Sequence, residues 1–262
     1  MAASIIGGLI ADGYAADCIH VAEPDADKRN ALANRFGIQT EADNNIAITK
    51  AQTVVLAIKP QVLSDVCTAM ASTVQKQQPL IISIAAGVRS TDIDRWLGGN
   101  TAIVRTMPNT PALVQSGATG LFANAQVNEQ QRELAESIMR AVGITLWLED
   151  ETQLDAVTAL SGSGPAYLFY VMEAMENAGR SLGLEANAAR LLAIQTAFGA
   201  AKLALESSED PGNLRERVTS PGGTTERALS VLREGGLEAL FIEALQAAND
   251  RAAELADQLG AK

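Results

Sequence analysis

The sequence predicts a doubly wound α/β domain over residues 1–150 followed by an all-α domain over residues 151–262. Three observations lead there. Continuous apolar runs recur through the first half, and stretches of helical spacing separate them. Runs apolar on both faces suit parallel strands covered by helices on either side. The second half has no such runs, only long Ala/Leu-rich helical stretches.

The chain opens inside a helix, "MAASIIGGLIADG", with Gly7 and Gly8 within the apolar pattern. "CIHVAEP" is a short strand, and "DADKRNALANRFG" is a helix closed by Gly37. "TVVLAIKP", "PLIISIAAG" and "TAIVRTMPNTP" are the next strands, alternating with helices in "QVLSDVCTAMASTVQ" and "STDIDRWLGG". "GATGLFA", the helix "EQQRELAESIMRAVG" and the strand "ITLWLED" complete the first domain. In the second, "SGSGPAYLFYVMEAMENAGRSLG" starts with Pro165 near its first turn and then runs apolar almost all round. "ANAARLLAIQTAFGAAKLALES" does the same, and "GLEALFIEALQAANDRAAELADQLG" is a long amphipathic last helix. Helices apolar on most faces are buried. Two of them in so small a domain lack covering surface within one chain, so a subunit interface in an interlocked homodimer is expected.

Composition narrows the chemistry. Hydrophobic residues make up 47% of the chain, enough for a substantial core, and charged residues 19%. The net charge is −11 and no basic cluster is visible, which argues against nucleic acid or an anionic membrane as partner. No apolar run approaches the roughly 20 residues of a membrane span. "MAASIIGGLIADGYA" has no basic leader and is not read as a signal peptide. Cys18 and Cys67 lie far apart in apolar runs, which fits a reducing, cytoplasmic setting. The single histidine, His20, sits in a strand, so neither a His/Cys metal site nor a Ser-His-Asp triad is readily built. An enzyme of this composition borrows its reactivity from a cofactor.

Ligands of doubly wound sheets bind beyond the carboxyl ends of the strands. Those ends carry Glu23, Lys59-Pro60, Ala85-Ala86-Gly87 and Met107-Pro108-Asn109. Glu23 occupies the place of a ribose-contacting acid, about 20 residues into a dinucleotide fold. The strand and Gly-x-Gly-x-x-Gly turn that open such a fold are missing from the sequence. The expectation is either an upstream start or a natural truncation, with weak or absent cofactor binding if the chain begins at Met1. In the helical half, "VTSPGGTTERAL" stands out. Pro221 is expected to end one helix, Gly222 and Gly223 to bring backbone close to a ligand, and Thr224 or Thr225 to cap the next helix. N–H groups at a helix start attract a carboxylate or phosphate, although a plain interhelix turn accounts for the same residues.

Taken together, "AIKPQ", "SIAAGV", "MPNTP", "DAVTALSGSGPAY" and "VTSPGGTT" resemble the motifs of the pyrroline-5-carboxylate reductases, in order and over essentially the whole chain. The resemblance implies a Rossmann domain and a helical dimerisation domain, in a homodimer or higher homo-oligomer. It implies reduction of Δ1-pyrroline-5-carboxylate to L-proline by NADPH or NADH, the last step of proline biosynthesis. The substrate carboxylate would lie on Ser220, Gly222, Gly223, Thr224 and Thr225, with Thr225 hydrogen-bonding the ring nitrogen and a carboxylate near Glu151 also at the substrate. Met1, Asn44, Ala57, Ile58, Lys59, Pro60, Ala85 and Ala86 would line the dinucleotide. Met107 and Asn109 would lie near the nicotinamide. Glu23 is an acid where an enzyme preferring a 2′-phosphate carries a small or basic residue, which favours NADH; Lys28 or Arg29 either offsets it or is solvated. Two alternatives remain: a β-hydroxyacid dehydrogenase-like enzyme, against which Glu206 stands four residues after Lys202, and a non-catalytic dimeric protein.

Overall fold

A computed structural model describes residues 1–261. The chain divides into two compact units, one of residues 1–163 with 247–262 and one of residues 164–246. The sequence boundary at 150 therefore differs from the structural one. Residues 151–163 pack into the first unit, with Leu154 and Ala159 buried.

The first unit opens with α1 (Ala2–Ala11), β1 (His20–Ala22), α2 (Ala26–Phe36), β2 (Gln39–Glu41) and α3 (Asn44–Ile48). β3 (Thr53–Leu56), α4 (Pro60–Gln77), β4 (Leu80–Ser83), α5 (Ser90–Trp96) and β5 (Ile103–Met107) follow. β6 (Gly117–Ala123), α6 (Glu129–Arg140), β7 (Gly143–Trp147) and α7 (Gln153–Val157) complete it. Caps match the sequence signals: Asp25 accepts from the amides of Asp27 and Lys28, and Gly37 ends α2 at φ +67°. Asn128 and Gln131 form a reciprocal capping box on α6.

β3, β4, β5, β6 and β7 form one sheet in that order, while β1 and β2 form a separate parallel pair. β3, β4 and β5 run parallel, β6 is antiparallel to β5, and β7 is parallel to β6. Alternate residues of β4 feed opposite faces. Leu80 and Ile82 join Val104, Leu121 and the α1 residues Ile5 and Leu9; Ile81 joins Leu56, Ile103 and the α4 residues Leu63, Cys67 and Met70. Helices thus cover both faces, as the two-sided apolar runs require. His20 is half-buried in β1, its Nε2 3.8 Å from Glu41 Oε1.

The second unit holds α8 (Gly164–Ser181), α9 (Ala186–Glu206), α10 (Pro211–Arg217), α11 (Thr224–Glu234) and most of the first half of α12 (Leu237–Gly260). α8 packs along α9. Within one chain these helices are poorly covered: α8 has no buried residue and α9 only Ala189 and Ala193. Phe169, Tyr170, Leu191 and Phe198 are each more than half exposed. By length and composition α9 is also apolar enough to cross a membrane, contrary to the sequence expectation. Its few charges stand near its ends, which leaves eleven uncharged, mostly apolar residues between Arg190 and Lys202.

Candidate active site

The sequence-predicted cofactor residues collect at strand ends and helix starts of the first unit. Glu23 follows β1, Ala57, Ile58 and Lys59 follow β3, Ala85 and Ala86 follow β4, Met107 ends β5 and Asn109 lies just beyond it. Asn44 opens α3 behind its cap Asp43, and Pro60 opens α4. No side chain caps α4 at Lys59 or α1 at Met1, and α1 has no acid in its first turn. At the start of α1 the amides of Ala2 and Ala3 are therefore available to an anion, whereas α4 opens on Pro60, which has no N–H, and its Val62 amide donates to Lys59 O. Small, part-exposed residues, Ala2 and Ala3 on α1 and Ala86 after β4, keep side-chain bulk away from those helix and strand ends, while Ala85 is buried in the core. The residues present fit such a group.

At the end of β1, Glu23 Oε1 accepts from the Asp25 amide at 3.0 Å. Arg29 is not a free solvated charge. Its guanidinium donates to the carbonyls of Glu23 at 2.8 Å and Pro24 at 2.9 Å. Lys28 pairs with Asp25 at 3.6 Å on the surface.

Two motifs far apart in sequence meet in this unit. After α7, residues Thr158–Gly162 form a π-helical turn, closed by the Ser163 amide donating to Thr158 O at 2.8 Å. Such turns recur at functional sites. Asn109 Nδ2 donates to Ser161 O at 3.0 Å, and Asn109 Oδ1 accepts from the Ala118 amide at 2.9 Å. A Cβ at Gly162 would come within 2.5 Å of Met107 Cε, so the end of the Met107 side chain lies against the turn. The Asn109 amide is thus engaged at both ends in joining "MPNTP" to "TALSG".

Glu151 is engaged too. Its Oε1 accepts from the Ser90 amide at 2.6 Å and Arg105 Nη1 at 2.8 Å, and its Oε2 from Ser90 Oγ at 2.8 Å. Glu151 therefore does not present a free carboxylate. It joins the start of α5 to the middle of β5, where the Arg105 side chain is only 7% exposed. Sequence reading passed over Arg105 and Ser90. The available signal was a lone arginine in an apolar strand run, which demands a buried partner. Asp155 belongs to the same cluster: burial raises its pKa against the pull of Arg105 and Arg89, while Glu151 and Asp257 push the same way as burial. Arg89 in turn holds Asp257 of α12 at 2.7 Å.

In the second unit, residues 218–225 run from α10 into α11. α10 ends at Arg217, ahead of Pro221, because Val218 already leaves helical geometry. Gly223, not Thr224 or Thr225, is the N-cap of α11, and no side chain caps that helix start. Both threonines are already helical there, so their hydroxyls no longer sit at the cap. Gly222 adopts φ +72°, open to glycine and strained for other residues. The Gly223 amide donates to Ser220 O at 3.0 Å, and a Cβ at Gly223 would lie 2.9 Å from that oxygen. The loop is a tight, glycine-dependent turn that leaves the first amides of α11 without a side-chain acceptor, with Ser220 and Thr224 exposed and Thr225 half-buried.

Comparison with known proteins agrees with these motifs. Residues 151–255 match the family profile for pyrroline-5-carboxylate reductase dimerisation, and residues 1–87 match that for NADP oxidoreductase, coenzyme F420-dependent. The pyrroline-5-carboxylate reductase of Pseudomonas aeruginosa is 52% identical over 260 residues, covering 99% of this chain and 95% of that protein. That of Haemophilus influenzae is 42% identical, covering 97% and 94%. The solved pyrroline-5-carboxylate reductase of Coxiella burnetii superposes with a TM-score of 0.94 at 48% identity, covering 97% of this chain and 94% of that one. The Plasmodium falciparum enzyme, solved with NADP bound, superposes with a TM-score of 0.85 at 25% identity, again covering 97% and 94%. The alternative built on Lys202 loses its ground, since Lys202 Nζ faces Glu206 at 3.8 Å on the surface of α9. With relatives this similar over nearly its full length, and with its motifs folded into a Rossmann-like unit and a helical one, the chain belongs to the pyrroline-5-carboxylate reductase family.

Proposed function

We propose that this chain reduces Δ1-pyrroline-5-carboxylate to L-proline with NADPH or NADH, the last step of proline biosynthesis. The observation that carries the reading is the Ser220–Thr225 turn, a glycine-built approach to a helix start that no side chain caps. The turn takes the substrate's carboxylate on backbone amides, where the helix dipole favours an anion. The Thr225 hydroxyl donates a hydrogen bond to the ring nitrogen, orienting the imine and easing its protonation. When bound, the nicotinamide cofactor supplies the hydride that adds to the imine carbon. The C=N double bond becomes a C–N single bond as carbon takes the hydride and nitrogen a proton, so no nucleophile or histidine is required.

Met1 with the amides of α1, Asn44, Ala57 to Pro60, Ala85 and Ala86 hold the dinucleotide, with Glu23 at its ribose and Met107 beside the nicotinamide. Asn109 and Glu151, with their polar atoms engaged, act as positioning residues: Asn109 fixes the π-helical turn and Glu151 fixes Ser90 and Arg105. The exposed apolar faces of α8 and α9 are covered in a homodimer or a higher homo-oligomer. The net charge of −11 argues against nucleic acid and anionic membrane partners, and the two free thiols suit a cytoplasmic setting. The test is oxidation of NADPH or NADH followed at its absorbance band with pyrroline-5-carboxylate as acceptor. Substrate-dependent turnover yielding proline is expected, and its absence would overturn the reading.

A further inference from the structure

The turn that is to receive a substrate carboxylate already holds one from its own chain. Glu226 is the third helical residue of α11, and its Oε2 accepts from the Gly222 amide at 2.7 Å. The Gly223 amide is engaged by Ser220 O. Neither glycine amide of the turn is therefore free while Glu226 stays where it is. We propose that Glu226 is an internal occupant of the carboxylate site: it holds the Gly222 amide until substrate arrives, yields that donor to the substrate's carboxylate, and sets the affinity of the turn for carboxylate-bearing ligands. The proposal rests on the reading that the Ser220–Thr225 turn binds the substrate's carboxylate.

The physical case is an exchange of like groups. A carboxylate on a backbone amide at a helix start makes a charge-assisted bond, strengthened by the dipole. Glu226 is exposed and rotates on three single bonds, and an added Cβ at Gly222 would meet nothing within 4 Å. Side chain and ligand can therefore trade places without moving backbone. Substrate gains only the difference between its own bond and the one Glu226 gives up. While it binds it also meets the negative charge of Glu226 close by. The Gly222 amide thus stays satisfied without ligand, at a cost in substrate affinity. A neutral ligand that makes no claim on the Gly222 amide would feel none of this.

The experiment compares wild type with Glu226→Gln on two imines, pyrroline-5-carboxylate and unsubstituted 1-pyrroline, which lacks the carboxylate. Glutamine can still accept from the Gly222 amide, so the contact across the turn is retained, but it has no charge and binds the amide more weakly. The expected result is a KM for pyrroline-5-carboxylate lowered about 3- to 10-fold with kcat unchanged, the range of one charged hydrogen bond weakened to a neutral one. The KM for 1-pyrroline stays as in wild type. A Glu226→Gln enzyme whose KM for pyrroline-5-carboxylate is unchanged or raised overturns the proposal, provided wild type still prefers pyrroline-5-carboxylate to 1-pyrroline. A wild type that shows the same KM for both imines overturns the carboxylate-binding turn itself, and this proposal with it. A contact of purely structural value would lower thermal stability in Glu226→Ala and leave both KM values alone, and that pattern too refutes it.

Discussion

Replacing Glu151 by glutamine tests the buried cluster most directly. The Arg105 and Glu151 side chains are 7% and 19% exposed and meet at 2.8 Å, so the pair is largely out of water. Removing one partner of such a pair leaves an uncompensated charge and costs about 3–5 kcal/mol. Glutamine keeps the shape and one acceptor oxygen, and Asp155 stands close enough to Arg105 for its own ionisation to feel it. Both effects move the expected loss to the lower end, about 3 kcal/mol. For a chain of this size that is a fall of about 6–12 °C in Tm. The assay is thermal and urea unfolding at one fixed protomer concentration, since an oligomer's apparent stability depends on concentration. The companion variant Arg105→Met/Glu151→Leu removes both charges, and a substantial part of the loss should return. A Glu151→Gln loss below about 1 kcal/mol, or a double variant as unstable as the sum of the singles, would refute the assignment of Glu151 as the partner that neutralises Arg105.

Three further outcomes are expected. Thr225→Ala should lower kcat on the order of 10²- to 10⁴-fold, the usual contribution of a positioned proton donor, and unchanged turnover would remove Thr225 from that role. Burial raises the pKa of Asp155, so its contribution to stability is fully present below the ordinary value of 3.8 and is lost as pH rises through its folded value. Asp155→Asn should therefore raise the urea midpoint at pH 7 and do so less as pH falls towards 4; a gain that grows in acid would reverse the sign of the argument. Burial pushes the Cys67 thiol up to about 12, whereas Cys18 is exposed. An aromatic disulfide reagent at pH 8 should therefore titrate one thiol in the native protein and the second only on unfolding.

The apolar runs made β3, β4 and β5 readable because a strand covered on both faces needs no alternation. β2 was not readable. Its three residues, Gln39, Thr40 and Glu41, are polar, and only pairing with β1 makes them a strand. The reversal of β6 against β5 escaped for another reason: strand direction is set by the short turn at Thr110–Val114, not by any residue within the strand. The strand-end residues of the site were legible because fold rules say where ligands of such sheets sit. The roles of Asn109 and Glu151 were not, because their partners Ser161, Ala118, Ser90 and Arg105 are separated from them by between 9 and 61 residues. The N-cap of α11, expected at Thr224 or Thr225, lies one or two residues earlier. Gly223 can act as N-cap through backbone geometry alone, without the hydroxyl the threonines advertise.

The last helix carries a consequence for how the protein is made. Residues 247–262 of the chain belong to the first unit, where Ala256 is buried, Leu259 packs on the core beneath α4 and α5, and Asp257 pairs with Arg89. β7, the final strand of that unit, is complete at Trp147. On a translating ribosome the roughly 100 residues in between take about 5–20 s to emerge. Throughout that interval the C-terminal residues that cover this flank of the core are not yet present. The unit synthesised first therefore gains its final packing from residues synthesised long after its strands.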